Sequence, residues 1–345
     1  MRPAKSQKER PARAGIVVPT LNEAPWIAET LQQLSAGAPP GTPIFLVDGG
    51  SDDRTPEIAR GLADKIPSLI VVHNPARRQS AGVNQGAHLA QAAGCSVLIR
   101  ADAHACYPDN YVTRLIETLD RTGADSVVVP LIAKGYGGFS DAAADVQTCW
   151  MGHGGADHRR LGPAKFVDHG HHAAFRLTMF QTLGGYDPLF FANEDAEFDH
   201  RATVAGYNIF LETALAIRYH PRASAHDLWR QYHRNGRGRM MTTRKHKLAL
   251  RMRQWLPLLL PYAMVASGVF ALLISPLFWI VPIGYLATLT LGAFHHARRR
   301  SVRHIGQMVI AAIAMHFGFG IGATRQWFER RAMRAWRHVA DLKKA

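Results

Sequence analysis

The sequence predicts an α/β domain of right-handed βαβ units on a parallel sheet, followed by C-terminal membrane helices. Three observations carry this. Short apolar runs at residues 15–18, 44–47, 69–72 and 97–99 alternate with segments that carry a helical apolar stripe, the pattern of consecutive βαβ units. Polar, acidic or glycine-rich residues gather just past three of these runs, at 19–23, 48–53 and 102–104. In an open parallel sheet that is where ligands bind. Finally, residues 255–294 run for 40 positions without a charged side chain, enough for two spans at roughly 20 residues each.

The formal net charge is +15, but it is unevenly placed. Residues 1–221 hold 20 Lys+Arg and 23 Asp+Glu, whereas residues 222–345 hold 21 basic and 3 acidic side chains. The α/β part is therefore slightly acidic, and the positive excess flanks apolar runs. This marks a membrane surface and speaks against a nucleic-acid partner. The three cysteines, Cys95, Cys106 and Cys149, show no C-x-x-C spacing, which argues for a reducing compartment without a disulfide framework. Residues 1–14 are polar and basic with no apolar stretch, the composition of a disordered tail rather than of a signal peptide.

Taken in order, the first strand ends at Pro19, and Asn22 and Pro25 suit the start of a helix whose stripe is Ile27, Leu31 and Leu34. The second strand ends at Asp48 and opens into Gly49-Gly50-Ser51-Asp52-Asp53. Thr55-Pro56-Glu57 reads as the next helix start. A third strand and a small-residue helix over 79–93 lead to the fourth strand, which delivers Asp102. Residues 111–119 are amphipathic and 127–129 form another strand. Residues 134–170, rich in Gly and His, read as a long functional loop. Residues 184–187 read as a turn, a helix starts near 194, and residues 209–217 contain a short strand running towards His220.

Asp102 and His104, two apart on an extended segment, point the same way and form half a site for a divalent cation. No G-x-G-x-x-G or P-loop is present. Three loops with acidic tips and no Walker lysine point to a nucleotide held through its base, its ribose and a metal. The run Asp168-His169-Gly170-His171-His172 lacks a second ligand group at zinc spacing. Glu194, Asp195 and Glu197 crowd a helix start, where exposed acids are also simply favourable to the dipole, by about 0.3–1 kcal/mol each.

Beyond residue 222 the composition divides the chain further. Residues 226–254 read as a basic amphipathic segment in the membrane interface. Residues 256–274 and 277–294 form a hairpin broken at Ser275-Pro276. Arginines on both flanks place both ends in the cytoplasm. Residues 305–323 are a re-entrant segment or a third span, the former keeping the basic amphipathic tail, 325–345, on the cytoplasmic side.

Several stretches together resemble glycosyltransferase family 2, with its GT-A fold and Rossmann-like mixed sheet. They are V-V-P-T-L-N-E, V-D-G-G-S-D-D-R-T, R-A-D-A-H, D-H-G-H-H-A-A-F, L-G-G-Y-D, N-E-D-A-E-F and R-Q-Y-H-R-N-G-R-G-R. Within the family the chain is similar to the branch of succinoglycan-biosynthesis glucosyltransferases. The resemblance implies a GT-A domain over 15–225 and an inverting transfer of a hexose, glucose in that branch, from a UDP-sugar to a lipid-linked oligosaccharide. It implies exopolysaccharide assembly at the bacterial inner membrane, with the domain in the cytoplasm beside other polysaccharide-assembly enzymes. Pro19, Asn22, Glu23, Asp48, Asp53, Asn84 and Arg100 would then bind the nucleotide sugar. Asp102 and His104 stand where the family has D-x-D and, with His220, would hold Mn²⁺ or Mg²⁺. Asp195 matches the general base, and His172, Glu194, Gln231, Arg234 and Arg237 would face the acceptor or the diphosphate. Asn235 replaces the Trp of Q-x-x-R-W, which disfavours a processive synthase. Retention of Asp102 and Asp195 disfavours a non-catalytic membrane scaffold.

Overall fold

The computed structural model describes residues 12–153, 162–250 and 252–329. Most of the basic tail expected over 1–14 and of the amphipathic tail expected over 325–345 lies outside the described residues. The chain divides into two compact units. The first comprises the chain to Pro130 with Pro163–Tyr186 and Phe198–Ile217; the second comprises Leu131–Gly162, Asp187–Glu197 and the chain from Arg218.

The first unit is an eight-stranded mixed sheet. Its strands are β1 (Ala14–Thr20), β2 (Ile44–Asp48), β3 (Leu69–His73), β4 (Val97–Arg100), β6 (Ser126–Val129), β8 (Lys165–Val167), β9 (His171–Arg176) and β10 (Ile209–Leu211), in the order β3-β2-β1-β4-β9-β6-β10-β8. β5 (Ala105–Cys106) is a short strand outside this sheet. The first four strands in that order are all parallel, with Val17 opposite Phe45 and Ile16 opposite Ile99. β9 runs antiparallel to both β4 and β6. The helices of this unit are α1 (Ile27–Ala36), α2 (Thr55–Arg60), α3 (Gln79–Ala92), α4 (Tyr111–Thr122) and α7 (Leu177–Thr182). α3 needs its small residues because it lies directly on β1. A Cβ on Gly86 would come within 2.4 Å of a Val17 methyl, and one on Gly15 within 2.8 Å of the Ala90 methyl.

In the second unit, β7 (Leu131–Ala133) runs into Lys134, whose N–H donates to Tyr219 O at the end of β11 (Ile217–Tyr219). Residues 134–170 are not one long loop. They contain α5 (Phe139–Thr148) and the short α6 (Trp150–His153). Ala142, Ala143, Val146 and Met151 pack there with Leu289, Ala293, Met308, Ala312 and Met315. An alanine-rich amphipathic stripe offers little contrast in sequence, and the glycines around it masked the helix. The helices that follow are α8 (Glu194–Val204), α9 (Ala225–Lys245), α10 (Met252–Leu273), α11 (Ile280–His296) and α12 (Val302–Phe328). α8 is shared between the units.

Residues Gln254–Leu273, Pro276–His296 and Val302–Phe328 are each long and apolar enough to cross a membrane. The last is one unbroken helix of 27 residues. The basic α9 lies along the glycine-rich α12, where a Cβ on Gly236 would meet Phe319 O at 2.1 Å and one on Gly322 would meet His233 O at 2.1 Å.

Candidate active site

Three loops past the carboxyl ends of β1, β2 and β4 are laced together by side chains. The Asp48 carboxylate, buried at the end of β2, accepts from the N–H groups of Gly50 and Ser51 at 3.0 Å each. It also accepts from the hydroxyls of Ser51 at 2.5 Å and Thr20 at 3.4 Å. Gly50 holds φ 77°, open to a residue without a Cβ. Asn22, at φ 60°, does not cap α1. Its side-chain oxygen accepts from Asp52 N–H at 2.8 Å, while its own N–H donates to Ser51 Oγ at 2.9 Å. Asp53, two residues before Thr55 at the start of α2, accepts from Thr55 N–H at 3.0 Å and from Ala24 N–H at 3.1 Å with its other oxygen. Burial pushes Asp53 up, but these bonds hold it below the usual carboxylate range. Asp48, Asn22 and Asp53 thus set the shape of the two loops that run past Pro19 and Glu23.

The third loop carries Asp102 and His104. β4 ends at Arg100, and residues 103–104 form a turn instead of continuing an extended strand. The Tyr107 hydroxyl clamps the Asp102 peptide from both sides, accepting from its N–H at 2.6 Å and donating to its oxygen at 2.9 Å. One carboxylate oxygen of Asp102 faces Gln79 at 3.3 Å and Arg100 at 3.4 Å; the other lies 3.3 Å from His171 Nε2. Burial raises this carboxyl, yet Arg100, His171 and, further down, His104 outweigh it and hold it well below the ordinary range. His104 Nδ1 lies 3.0 Å from Glu23 Oε1. Among the described residues no three His, Cys, Asp or Glu side chains gather at metal-binding spacing.

Behind this loop, Asn84 gives its amide to the Tyr186 carbonyl at 2.7 Å and accepts from Tyr186 N–H at 2.8 Å. His172 is buried, with Nε2 2.7 Å from Asp199 Oδ1 and Nδ1 on the Tyr186 hydroxyl. Tyr107, Gln79, Tyr186 and Asp199 carry no signal as site residues in the sequence, and His171 is marked only as part of the run over 168–172. His171 and Tyr186 stood inside the D-H-G-H-H and G-G-Y-D stretches already singled out. Nothing local marked Tyr107 or Gln79.

The second unit holds the remaining candidates. Glu194 is buried and Asp195 partly so, in the first turn of α8. Glu197 is fully buried, so the acids at this helix start are not a set of equivalent exposed charges. Asn193 donates to Asn235 O at 2.6 Å, and Arg234 donates to Phe191 O at 2.9 Å. A Cβ on Gly238 would meet Ala192 O at 2.2 Å. α9 therefore packs directly on the segment that leads into Asp195. Arg237 is committed to α12 and the residue after it, reaching Gln326 at 3.1 Å and Glu329 at 2.6 Å with its guanidinium over the Phe191 ring. Gln231 lies one turn before Arg234 on α9. His220 meets Tyr136 edge-on, with ring centroids 5.4 Å apart.

A parallel β3-β2-β1-β4 half-sheet with acidic loops past its carboxyl ends, and an antiparallel strand inserted after β4, is the GT-A class of fold. The family model described as "Glycosyl transferase family 2" matches residues 15–184. The chain is 39% identical over 320 residues to "Succinoglycan biosynthesis protein ExoA" of Rhizobium meliloti (strain 1021), covering 92% of this chain and 95% of that one. The chain therefore belongs to glycosyltransferase family 2 and is a glycosyltransferase. Among solved structures, it superposes on a mannosyltransferase from Pyrobaculum calidifontis in complex with GDP-Man and Mn2+ with a TM-score of 0.62 at 17% identity, covering 94% of this chain and 91% of that one. S. aureus TarS 1–349 gives a TM-score of 0.47 at 13% identity, covering 94% and 91%.

Proposed function

We propose that this protein is an inverting, divalent-metal-dependent glycosyltransferase. It moves a hexose, glucose in our reading, from a UDP-sugar to a lipid-linked oligosaccharide during exopolysaccharide assembly at the bacterial inner membrane. The observation that carries this reading is Asp102, whose main chain is clamped past β4 by Tyr107 and whose carboxylate is kept ionised by Arg100 and His171. The likeness to a succinoglycan biosynthesis protein over nearly the whole chain supports the pathway class. The GDP-Man and Mn2+ held by the mannosyltransferase of similar fold support the donor and metal classes.

Within the first unit the donor types suit a divalent cation: an ionised carboxylate in Asp102 and an imidazole in His104. Imidazole favours Mn²⁺ over Mg²⁺. Bound there, such an ion supplies charge neutralisation at the departing diphosphate. The chain's own residues do the rest. Pro19, Asn22, Glu23, Asp48, Asp53, Asn84 and Arg100 shape or line the nucleotide-sugar pocket. Arg234 offers a guanidinium to phosphate oxygens, with Glu194 and Gln231 ordering that side. Asp195 takes the proton from the acceptor hydroxyl, a role that contributes about 10²–10⁴ in rate. A single displacement then inverts the anomeric centre.

The three apolar helices anchor the enzyme, with both ends of the α10–α11 hairpin facing the cytoplasm. That arrangement presents the domain to a soluble donor and a membrane-bound acceptor. The test is a screen of UDP-sugars against membranes carrying lipid-linked acceptors, followed by linkage analysis. Transfer of glucose to a lipid-linked glycan is the expected result. Transfer only from a non-uridine donor, or only to soluble acceptors, overturns it.

A further inference from the structure

A continuous chain of polar groups runs through the core of the first unit. Asp199 is buried, 1% exposed. One of its oxygens takes His172 Nε2 at 2.7 Å; the other takes His169 Nδ1 at 2.7 Å and Gly170 N–H at 3.2 Å. With Nε2–H donating to Asp199, Nδ1 of His172 is left to accept from the Tyr186 hydroxyl. The Tyr186 oxygen in turn accepts from Arg100 Nη1 at 3.5 Å, and Arg100 Nη2 reaches Asp102 at 3.4 Å. Every link donates in one direction, from Arg100 towards Asp199.

The apolar surroundings hold this chain in one geometry. The Tyr186 ring lies flat against His172, 5.7 Å between centroids and 5° between planes. Phe175, Phe180 and Phe198 close around both. The Tyr186 main chain is pinned by Asn84, and Arg201 fixes the preceding turn through Leu183 O and Gly185 O at 2.7 Å for the latter. Core cohesion does not account for such a chain, since buried charged groups are often replaced by apolar ones without loss of stability. Its far end is the informative one: Arg100 forks between Tyr186 and Asp102. Alternation along β9 places the neighbouring His171 on Asp102's other oxygen.

We infer that Tyr186, His172 and Asp199 are positioning residues that hold the Arg100 guanidinium, and through it the Asp102 carboxylate, in the geometry needed to bind the divalent cation. The inference rests on the metal reading above and extends it to three residues that do not touch the ion. Groups that orient a metal ligand typically cost about 10–100-fold in affinity when lost.

The test measures Mn²⁺ binding to the purified full chain in detergent with saturating UDP, from the free Mn²⁺ signal in electron paramagnetic resonance. No sugar transfer is needed. Tyr186→Phe and Asp199→Asn are compared with the parent, with Asp102→Asn as the ligand control. Leu119→Ala on α4 is the control for lost stability without contact to the chain, and all are read well below their melting temperatures. The expected result is about tenfold weaker Mn²⁺ binding in both Tyr186→Phe and Asp199→Asn, with Leu119→Ala binding like the parent. If the parent binds, Asp102→Asn does not, and Tyr186→Phe and Asp199→Asn bind like the parent, the positioning role alone falls. If Leu119→Ala weakens binding equally, the effect is general loosening and the inference falls too. If the parent itself binds no Mn²⁺, the metal reading falls and takes the inference with it.

Discussion

The ammonium of Lys245, near the end of α9, lies 2.7 Å from Oε1 of Glu197, a carboxylate with no solvent exposure in the first turns of α8. His246 approaches the same oxygen at 2.9 Å, and Lys245 also reaches Asp187 at 2.7 Å. Glu197 is therefore not one of three interchangeable dipole charges. It is the node that ties α9 to the segment carrying Asp195. Removing one partner of a buried pair costs about 3–5 kcal/mol. Lys245 and His246 keep partial hydration at 21% and 17% side-chain exposure, which lowers the expected loss for Glu197→Gln to about 2 kcal/mol. Thermal unfolding in detergent should show that loss, and the added Lys245→Met should recover part of it. Turnover per folded molecule should change little.

Metal dependence is expected to be complete. Asp102 and His104 offer one carboxylate and one imidazole, and imidazole suits transition ions better than Mg²⁺. Turnover should vanish in excess chelator and return with Mn²⁺ at least as well as with Mg²⁺. Undiminished UDP-sugar turnover under chelation would sink the metal reading.

Much of the first unit is legible in the sequence because its strands are pure apolar runs and its loops are chemically loud. β1 to β4, α1 to α4 and the acidic tips at Asp48, Asp53 and Asp102 all follow from local pattern. β9 is not legible, because His171 and His172 open a strand whose burial depends on slotting between β4 and β6. α5 is lost for the opposite reason, its stripe being built from alanines. The pairing of Asp102 with His171 and of His104 with Glu23 is tertiary information throughout. No spacing rule reports it, and the turn at residues 103–104 breaks the period-two alternation between Asp102 and His104.

Acid should weaken the first unit through Asp199. Burial alone would raise this carboxyl, but His172 and His169 outweigh burial and hold it below its ordinary value. A depressed carboxyl contributes stability that is fully present above the unfolded-state value, about 3.9, and is lost as the pH falls through the folded value. Melting temperatures should therefore drop as the pH is lowered from about 4. Asp199→Asn should be less stable than the parent at pH 7 and show a shallower acid limb. An acid limb of equal steepness in both proteins would show that other carboxyls set it.

The seam between α9 and α12 makes a sharper mutational contrast. A Cβ on Gly322 would sit 2.1 Å from the His233 carbonyl oxygen, a backbone atom that cannot swing aside, whereas Gly306 on the same helix has nothing within 4 Å. Gly322→Ala should destabilise by about 1–3 kcal/mol through overpacking. Gly306→Ala should be neutral or stabilising by up to about 1 kcal/mol, as Ala is the better helix former. Paired melting curves in one detergent decide between this packing and a loosely associated α12.

Asp195 is expected to be the base, and its neighbours now supply a strict comparison. Asp195 is only partly buried and its Oδ1 accepts from the N–H of Ala196 at 2.7 Å, so the side chain is ordered yet accessible. Glu194 and Glu197 on either side are buried, and Glu197 is already committed to Lys245 and His246. A general base must lie within about 3 Å of one particular hydroxyl, a demand that a carboxylate locked in an ion-pair node cannot meet. Asp195→Asn keeps the size and much of the hydrogen bonding while removing the proton acceptor. Turnover should fall by at least about a hundredfold with UDP-sugar affinity nearly unchanged and the melting temperature close to the parent's. Glu197→Gln should show the reverse profile, losing stability and keeping turnover. Glu194→Gln should fall between them if Glu194 orders the acceptor. Should Asp195→Asn retain more than about a tenth of parental turnover, short of the loss a missing general base causes, the proton leaves by another route and this assignment is wrong.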